Sequence, residues 1–229
     1  MAIVEEFMNG RDEVGSVSLA RKYDLNASPA TIRNEMVKLM NEGYLVKSHI
    51  SSGRIPTDQA IRLYIRDHVE NILDVIQSIQ LNQSLFEARF DKDQLIKKVL
   101  KELSAFSKSV AFSATDKDLQ YYGLSTLMKQ KDFADIERVK GVVDLLENEE
   151  AFFNFLSKYI SEDITVLVGY EIDASDLYHS AIVFTKVPFW DSEERLVGVL
   201  GSKRMDYANV IAGIRVVRDT LDRSLRGWI

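Results

Sequence analysis

Residues 28–38 read SPATIRNEMVK, a stretch that mixes hydrogen-bonding side chains with a buried-face pattern. Wound at 3.6 residues per turn, Ile32, Met36, Leu39 and Met40 form one apolar stripe. Ser28, Ala30, Thr31, Arg33, Asn34 and Lys38 then lie opposite it. Short polar and basic groups at a helix start have the donors and acceptors that read base edges in a major groove. The unpaired backbone N–H groups there, with their partial positive charge, suit a phosphate. Further on, Lys47, Ser48, His49, Ser51, Ser52, Gly53 and Arg54 put small and cationic groups into a hairpin. Such groups can approach a nucleic-acid backbone or minor groove closely. Arg62 and Arg66, one turn apart, extend the basic face.

Singly, each of these features is ordinary. A lone arginine on a helix is usually a solvated charge, a Ser-Pro helix start is common, and a Ser/Gly hairpin is more often a plain turn. Their order within about 45 residues carries the reading, because a helix-turn-helix with a wing needs those parts in that sequence.

The elements that must position these residues follow from capping and periodicity. Ala2–Met8 forms a short helix stopped by Asn9-Gly10. Ser16 is expected to cap a helix through Tyr23, with Val17, Leu19, Ala20 and Tyr23 available for burial. After the turn at residues 24–27, Ser28 caps and Pro29 opens the third helix, which stops at Gly43. Residues 44–47 and 54–56 read as two short strands around a tip at residues 48–53. Residues 1–66 are therefore read as a winged helix-turn-helix that binds double-stranded DNA.

Thr57 or Asp58 is expected to start a long helix to about Leu81, with Ile61, Ile65, Val69, Ile72, Ile76 and Ile79 on one side. A second helix covers about Asp93–Ser107. Residues 67–109 are read as a helical linker and a candidate dimerisation element, with Ile72 and Ile76 in the interface. Residues 110–229 predict a strand at 110–112, helices at about 133–146 and 149–160, and strands at 164–170, 179–187 and 195–200. A turn at 191–193 and a closing helix over about 206–226 complete the pattern. This is α+β, with helices on a small antiparallel sheet.

Charge and composition narrow the function classes. The net charge of −6 argues at first against a nucleic-acid partner. Residues 1–66, however, hold nine Lys/Arg and eight Asp/Glu, a net of +1, and the rest holds 20 and 27, a net of −7. Local arrangement decides such cases, not overall charge. Cysteine is absent, which removes disulfides and thiolate chemistry and fits the expected cytoplasmic location. No apolar run approaches the ~20 residues that span a bilayer. The three histidines, at positions 49, 68 and 179, lack ligand spacing, and no nucleophile elbow or phosphate loop appears. Glu149-Glu150 and Glu193-Glu194 read as a helix start and a solvated turn. No enzyme, metal or cofactor is expected.

Residues 26–56, NASPATIRNEMVKLMNEGYLVKSHISSGRIP, resemble the winged-helix segment of the heat-inducible transcription repressor (HrcA) family. Val14-Gly15-Ser16 and Thr57-Asp58 fit the same pattern. Residues 123–127 (GLSTL), Asp132-Phe133 and residues 198–207 (GVLGSKRMDY) resemble the family's C-terminal motifs. The resemblance implies a dimeric repressor with a winged helix, a GAF-like domain and a dimerising domain inserted into the latter. It also implies an inverted-repeat operator upstream of chaperone genes and help from the chaperonin GroEL. By position, Thr31, Arg33 and Asn34 would read bases, and Ser52, Gly53 and Arg54 would form the wing.

Family members are longer. The missing part falls between Phe112 and Leu119, where residues 114–118 join the two sides directly. The chain is therefore read as a shortened member without the inserted domain, and from the short first helix the natural start is expected upstream of Met1. A rival reading makes the C-terminal GAF-like domain a small-molecule sensor. Against it, Tyr178, His179 and Asp191 look scattered, and Phe152, Phe153, Phe155 and Trp190 are expected in the core.

Overall fold

The computed structural model describes residues 1–49, 52–69, 83–88, 91–172, 177–189 and 194–225. The chain divides into two compact units, Met1–Val69 and Glu70–Ile229.

The first unit contains α1 (Ala2–Met8), α2 (Ser16–Lys22), α3 (Pro29–Asn41), β1 (Leu45–Val46), β2 (Ile55–Pro56) and α4 (Asp58–His68). α3 starts where the sequence signals place it. Ser28 has extended backbone, and its hydroxyl accepts the Thr31 N–H at 3.1 Å. Pro29 follows at a position with no N–H to lose. The helix ends at Glu42, and Gly43 turns the chain out with φ at 82°, a left-handed conformation that favours glycine. Ile32 and Met36 bury into a core with Ile3, Val14, Leu19 and Leu45. β1 and β2 pair antiparallel, Leu45 opposite Pro56 and Val46 opposite Ile55. Val14 and Arg54 extend this pairing through reciprocal backbone hydrogen bonds of 2.9 Å. Thr57 caps α4, accepting the Ala60 N–H at 3.3 Å and donating to Gly43 O at 2.8 Å.

Several local expectations change. Gly15, not Ser16, is the N-cap of α2, and Ser16 is buried in its first turn. Val17 is 46% exposed. Leu39 is also exposed, at 36%, although it continues the α3 stripe. Met40, the next residue, is instead partly buried against the core, so the covered stripe runs through Ile32, Met36 and Met40. α4 ends at His68, where Val69 adopts extended backbone. The expected continuation to Leu81, with Ile72, Ile76 and Ile79, lies outside the described residues.

The second unit is built on a five-stranded antiparallel sheet. Its strands are β3 (Val110–Ala114), β4 (Leu119–Tyr122), β5 (Thr165–Val168), β6 (Ser180–Val187) and β7 (Arg195–Ser202), in the order β4-β3-β7-β6-β5. One face, carrying Phe112, Ile182, Phe184, Leu196 and Leu200, packs with α7 (Ile136–Glu147) and α8 (Glu149–Ser157). The opposite face, with Ala111, Val183, Val197 and Val199, is also buried. It lies on the side of α5 (Lys92–Ser107) and α9 (Tyr207–Leu225), which pack on each other and on the sheet. Cover on both faces explains why β7 is buried along its whole length and reads as a continuous apolar run. Gly198 sits in register between Phe112 and Phe184, and a Cβ there would come within 2.4 Å of Val183 O.

The fold is α+β, as the sequence predicts, with two differences. Strand β4 is an addition. The segment 114–118 is a hairpin turn, closed by the Thr115 N–H donating to Asp118 O at 2.8 Å. Leu119–Tyr122 shows no clean alternation because it is an edge strand with Tyr121 and Tyr122 exposed. Helix α5, expected in a separate linker, belongs to the sheet layer. Its Leu95, Ile96, Val99, Leu100 and Leu103 are buried within the chain, so this face is not free to join a dimer interface. A short helix, α6 (Leu124–Leu127), follows β4. Among the described residues no helix is long and apolar enough to cross a membrane.

Candidate nucleic-acid interface

With Ile32 and Met36 buried, Ser28, Ala30, Thr31, Arg33, Asn34 and Lys38 are exposed on the other faces of α3. The Ser28 and Thr31 hydroxyls lie 2.9 Å apart at the helix start. Lys38 is held by Glu35 at 2.7 Å, and this hydrogen bond raises the lysine pKa. Arg33 and Asn34 have no partner among the described residues, which leaves their donors and acceptors available.

The hairpin presents Lys47, Ser48 and His49 to solvent. Its tip is shaped by Ser52, whose Oγ donates to His49 O at 2.7 Å and accepts the His49 N–H at 3.0 Å. Gly53 cannot carry a side chain without displacing backbone, since a Cβ would lie 2.8 Å from Val14 N. Ser51 lies outside the described residues.

Arg54 departs from the expected exposed wing cation. It is 8% exposed, and its Nη1 donates to Ser52 O at 3.1 Å. Pairing with Val14 directs the side chain inward, where it braces the hairpin from behind.

Two acidic residues that the sequence reasoning missed organise this unit. Glu6 is 2% exposed and accepts from Lys22 Nζ, from Arg11 Nε at 2.8 Å and from Tyr23 OH at 3.0 Å. The Lys22 hydrogen bond holds its carboxyl below the usual carboxylate range, against the opposing effect of burial. Arg11 and Lys22 are thus committed to Glu6. Glu13 accepts from the Ser48 hydroxyl and, at 2.9 Å, from the Gly53 N–H. These hydrogen bonds bridge 35 and 40 residues, so nothing in the local sequence around Glu13 signals them.

In the second unit, the distant motifs meet. Asp132 accepts from Arg204 Nε at 3.1 Å and from the Ser202 hydroxyl, while Arg138 Nη1 donates to Asp132 O at 2.8 Å. His179 packs on Tyr178 with ring centroids 3.7 Å apart. Burial, then the nearby Arg138 and Lys203 charges, push the His179 pKa down to about 4. Phe152 and Phe153 are core residues, Phe155 is half-buried against that core, and Asp191 and Trp190 lie outside the described residues. Asp144, Glu147, Glu149 and Glu150 line an open cleft of about 570 Å³, whose charge would repel phosphate. No group of metal-ligating side chains occurs among the described residues.

These features define an α+β protein of two units, the first presenting a polar helix face beside a hairpin. A family model described as the HrcA protein C-terminal domain matches residues 31–211. The chain belongs to the HrcA family. Among curated relatives, the heat-inducible transcription repressor HrcA of Frankia casuarinae is 36% identical over 126 residues. That match covers 55% of this chain and 35% of the relative. The same-named protein of Alkaliphilus metalliredigens is 40% identical over 111 residues, 46% of this chain and 32% of the relative. Both matches span only about a third of the relative's length. The Desulforamulus reducens protein of that name aligns over 337 positions at 25% identity, covering 100% of this chain and 97% of the relative. The family is one of transcription repressors, not enzymes. A crystal structure described as a hypothetical protein at 2.2 Å resolution shares the fold, with a TM-score of 0.77 at 17% identity. It covers 98% of this chain and 94% of that one.

Proposed function

We propose that this chain is a sequence-specific DNA-binding repressor of heat-shock genes, with residues 1–66 acting as a winged helix-turn-helix. The observation that carries the reading is the polarity of α3. Its apolar side is buried through Ile32 and Met36, and Arg33 and Asn34 stand exposed, without a partner among the described residues, beside the Ser28 and Thr31 hydroxyls. In this reading Thr31, Arg33 and Asn34 meet base edges, with Ala30 giving an apolar surface and Lys38 a flanking charge. Ser28 and the helix start meet a phosphate. Lys47, His49 and Ser52 form the wing's phosphate-facing side, Ser51 is proposed as a further DNA contact, and Gly53 and Arg54 shape the hairpin.

The names of the relatives support the heat-inducible role. The second unit takes the place of the family's GAF-like domain, and the chain binds an inverted-repeat operator as a homodimer in the cytoplasm. GroEL is its proposed chaperonin partner by family resemblance. Half-sites about one helical turn apart would match a two-fold protein.

The test is titration of a labelled inverted-repeat duplex at two salt concentrations, beside a scrambled duplex. Tight binding to the operator that weakens steeply with salt is expected. Equal affinity for both duplexes would remove the specificity claim.

A further inference from the structure

We infer that Glu13 is the positioning residue of the hairpin, fixing the tip so that Lys47, His49 and Ser52 face a DNA backbone. The inference rests on the DNA-binding reading above and adds to it a residue outside the recognition helix and the wing.

Glu13 lies between α1 and α2, and each of its carboxylate oxygens takes a different part of the hairpin. One accepts from the Ser48 hydroxyl on the outgoing side, and the other accepts the Gly53 N–H at 2.9 Å on the return side. The backbone beside it adds a second tie, through the paired Val14 and Arg54 peptides. Packing at Gly53 is close enough that a Cβ would strike Val14 N at 2.8 Å and Glu13 Cβ at 2.9 Å. The two arms of the hairpin are therefore gathered onto one carboxylate.

The hairpin needs such a tie. Each of its strands has only two paired residues, and an isolated two-stranded ribbon is marginal in water. Its tip also exposes Lys47, Ser48 and His49, which draw no stability from the core. A carboxylate that receives two donors from opposite arms sets the opening of the tip without touching DNA. The Ser48 hydrogen bond, partly opposed by desolvation, keeps this carboxyl below the usual carboxylate range, so it stays ionised at neutral pH.

The experiment compares wild type, Glu13→Ala, Glu13→Gln and Ser48→Ala in the full chain. Three quantities are measured: operator affinity, its salt slope and hydrogen exchange at the Gly53 amide. Glu13→Ala is expected to bind several-fold more weakly and to speed Gly53 exchange. Its salt slope should fall by about 0.9 for each phosphate that the wing ceases to neutralise, a change that general destabilisation would not produce. Glu13→Gln should restore all three, because its amide oxygen can accept the Gly53 N–H and its NH2 can donate to the Ser48 hydroxyl. Ser48→Ala removes one arm at an exposed position and should fall between, even if Glu13→Ala disturbs folding.

An Ala variant with unchanged slope and unchanged Gly53 exchange would overturn the inference. A Gln variant as impaired as Ala would also overturn it, since the charge and not the hydrogen bonds would then matter. If wild type fails to discriminate operator from scrambled duplex, the DNA reading falls. Gly53 exchange then still decides whether Glu13 ties the hairpin.

Discussion

Arg33 and Asn34 are exposed on α3 and have no side-chain partner among the described residues, unlike several other cations of the first unit. Lys22 and Arg11 serve Glu6, Lys38 is held by Glu35, and Arg54 is turned inward. Replacing Arg33 or Asn34 with alanine should therefore reduce operator affinity by about 1–3 kcal/mol and relax sequence preference, as read in competition titrations. Titratable residues give a separate test at this scale. The carboxyl of Glu6 has its pKa lowered on folding, so its contribution is present above the usual carboxylate value of ~4.3 and is lost as pH falls through the folded value. For His179 the folded pKa is about 4 against ~6.5 unfolded. Its contribution is complete above ~6.5 and is lost as pH falls toward 4, because the unfolded chain takes up the proton first. Thermal midpoints across pH 4–7 should fall with acidity, and His179→Gln should flatten that slope.

Among the elements, α3 separates stability from binding most cleanly. Its start depends on the Ser28 cap, so Ser28→Ala should cost about 1 kcal/mol in thermal or urea unfolding. Ser28→Asp keeps a capping oxygen but adds a negative charge where a phosphate is proposed to sit. Near-native stability with weakened operator binding is the expected result. The sheet offers a different lesson at β7. A Cβ at Gly198 would meet the Val183 carbonyl and Phe184, backbone and core atoms with little room to move. Gly198→Ala should destabilise the second unit by about 1–3 kcal/mol or more, measured by its melting transition.

Across the whole molecule, the central change concerns the helix over residues 92–107. Its spacing marks it as amphipathic, which suits a dimer interface as well as a core. The structure assigns it to the core, with Leu95, Ile96 and Val99 buried against the sheet layer. Leu95→Asp should consequently unfold the second unit and not yield a folded monomer. Sedimentation and far-UV circular dichroism on the same samples distinguish these outcomes. The proposed interface positions Ile72 and Ile76 lie outside the described residues, and the same sedimentation measurement on charged variants there tests their part in association.

Local chemistry made much of this protein legible from sequence. The Ser28-Pro29 start, the stop at Gly43, the Ile32/Met36 stripe and the Val/Ile/Phe-rich strands each depend on near neighbours, and they appear where periodicity and capping place them. Tertiary structure alone decided what depends on distant partners. It gathered Ser48 and Gly53 onto Glu13, turned Arg54 inward through Val14, and brought Asp132 to Ser202 and Arg204 across the second unit. It also decided which apolar face of an amphipathic helix was already occupied. Periodicity shows that a face will be buried, but only packing shows against what.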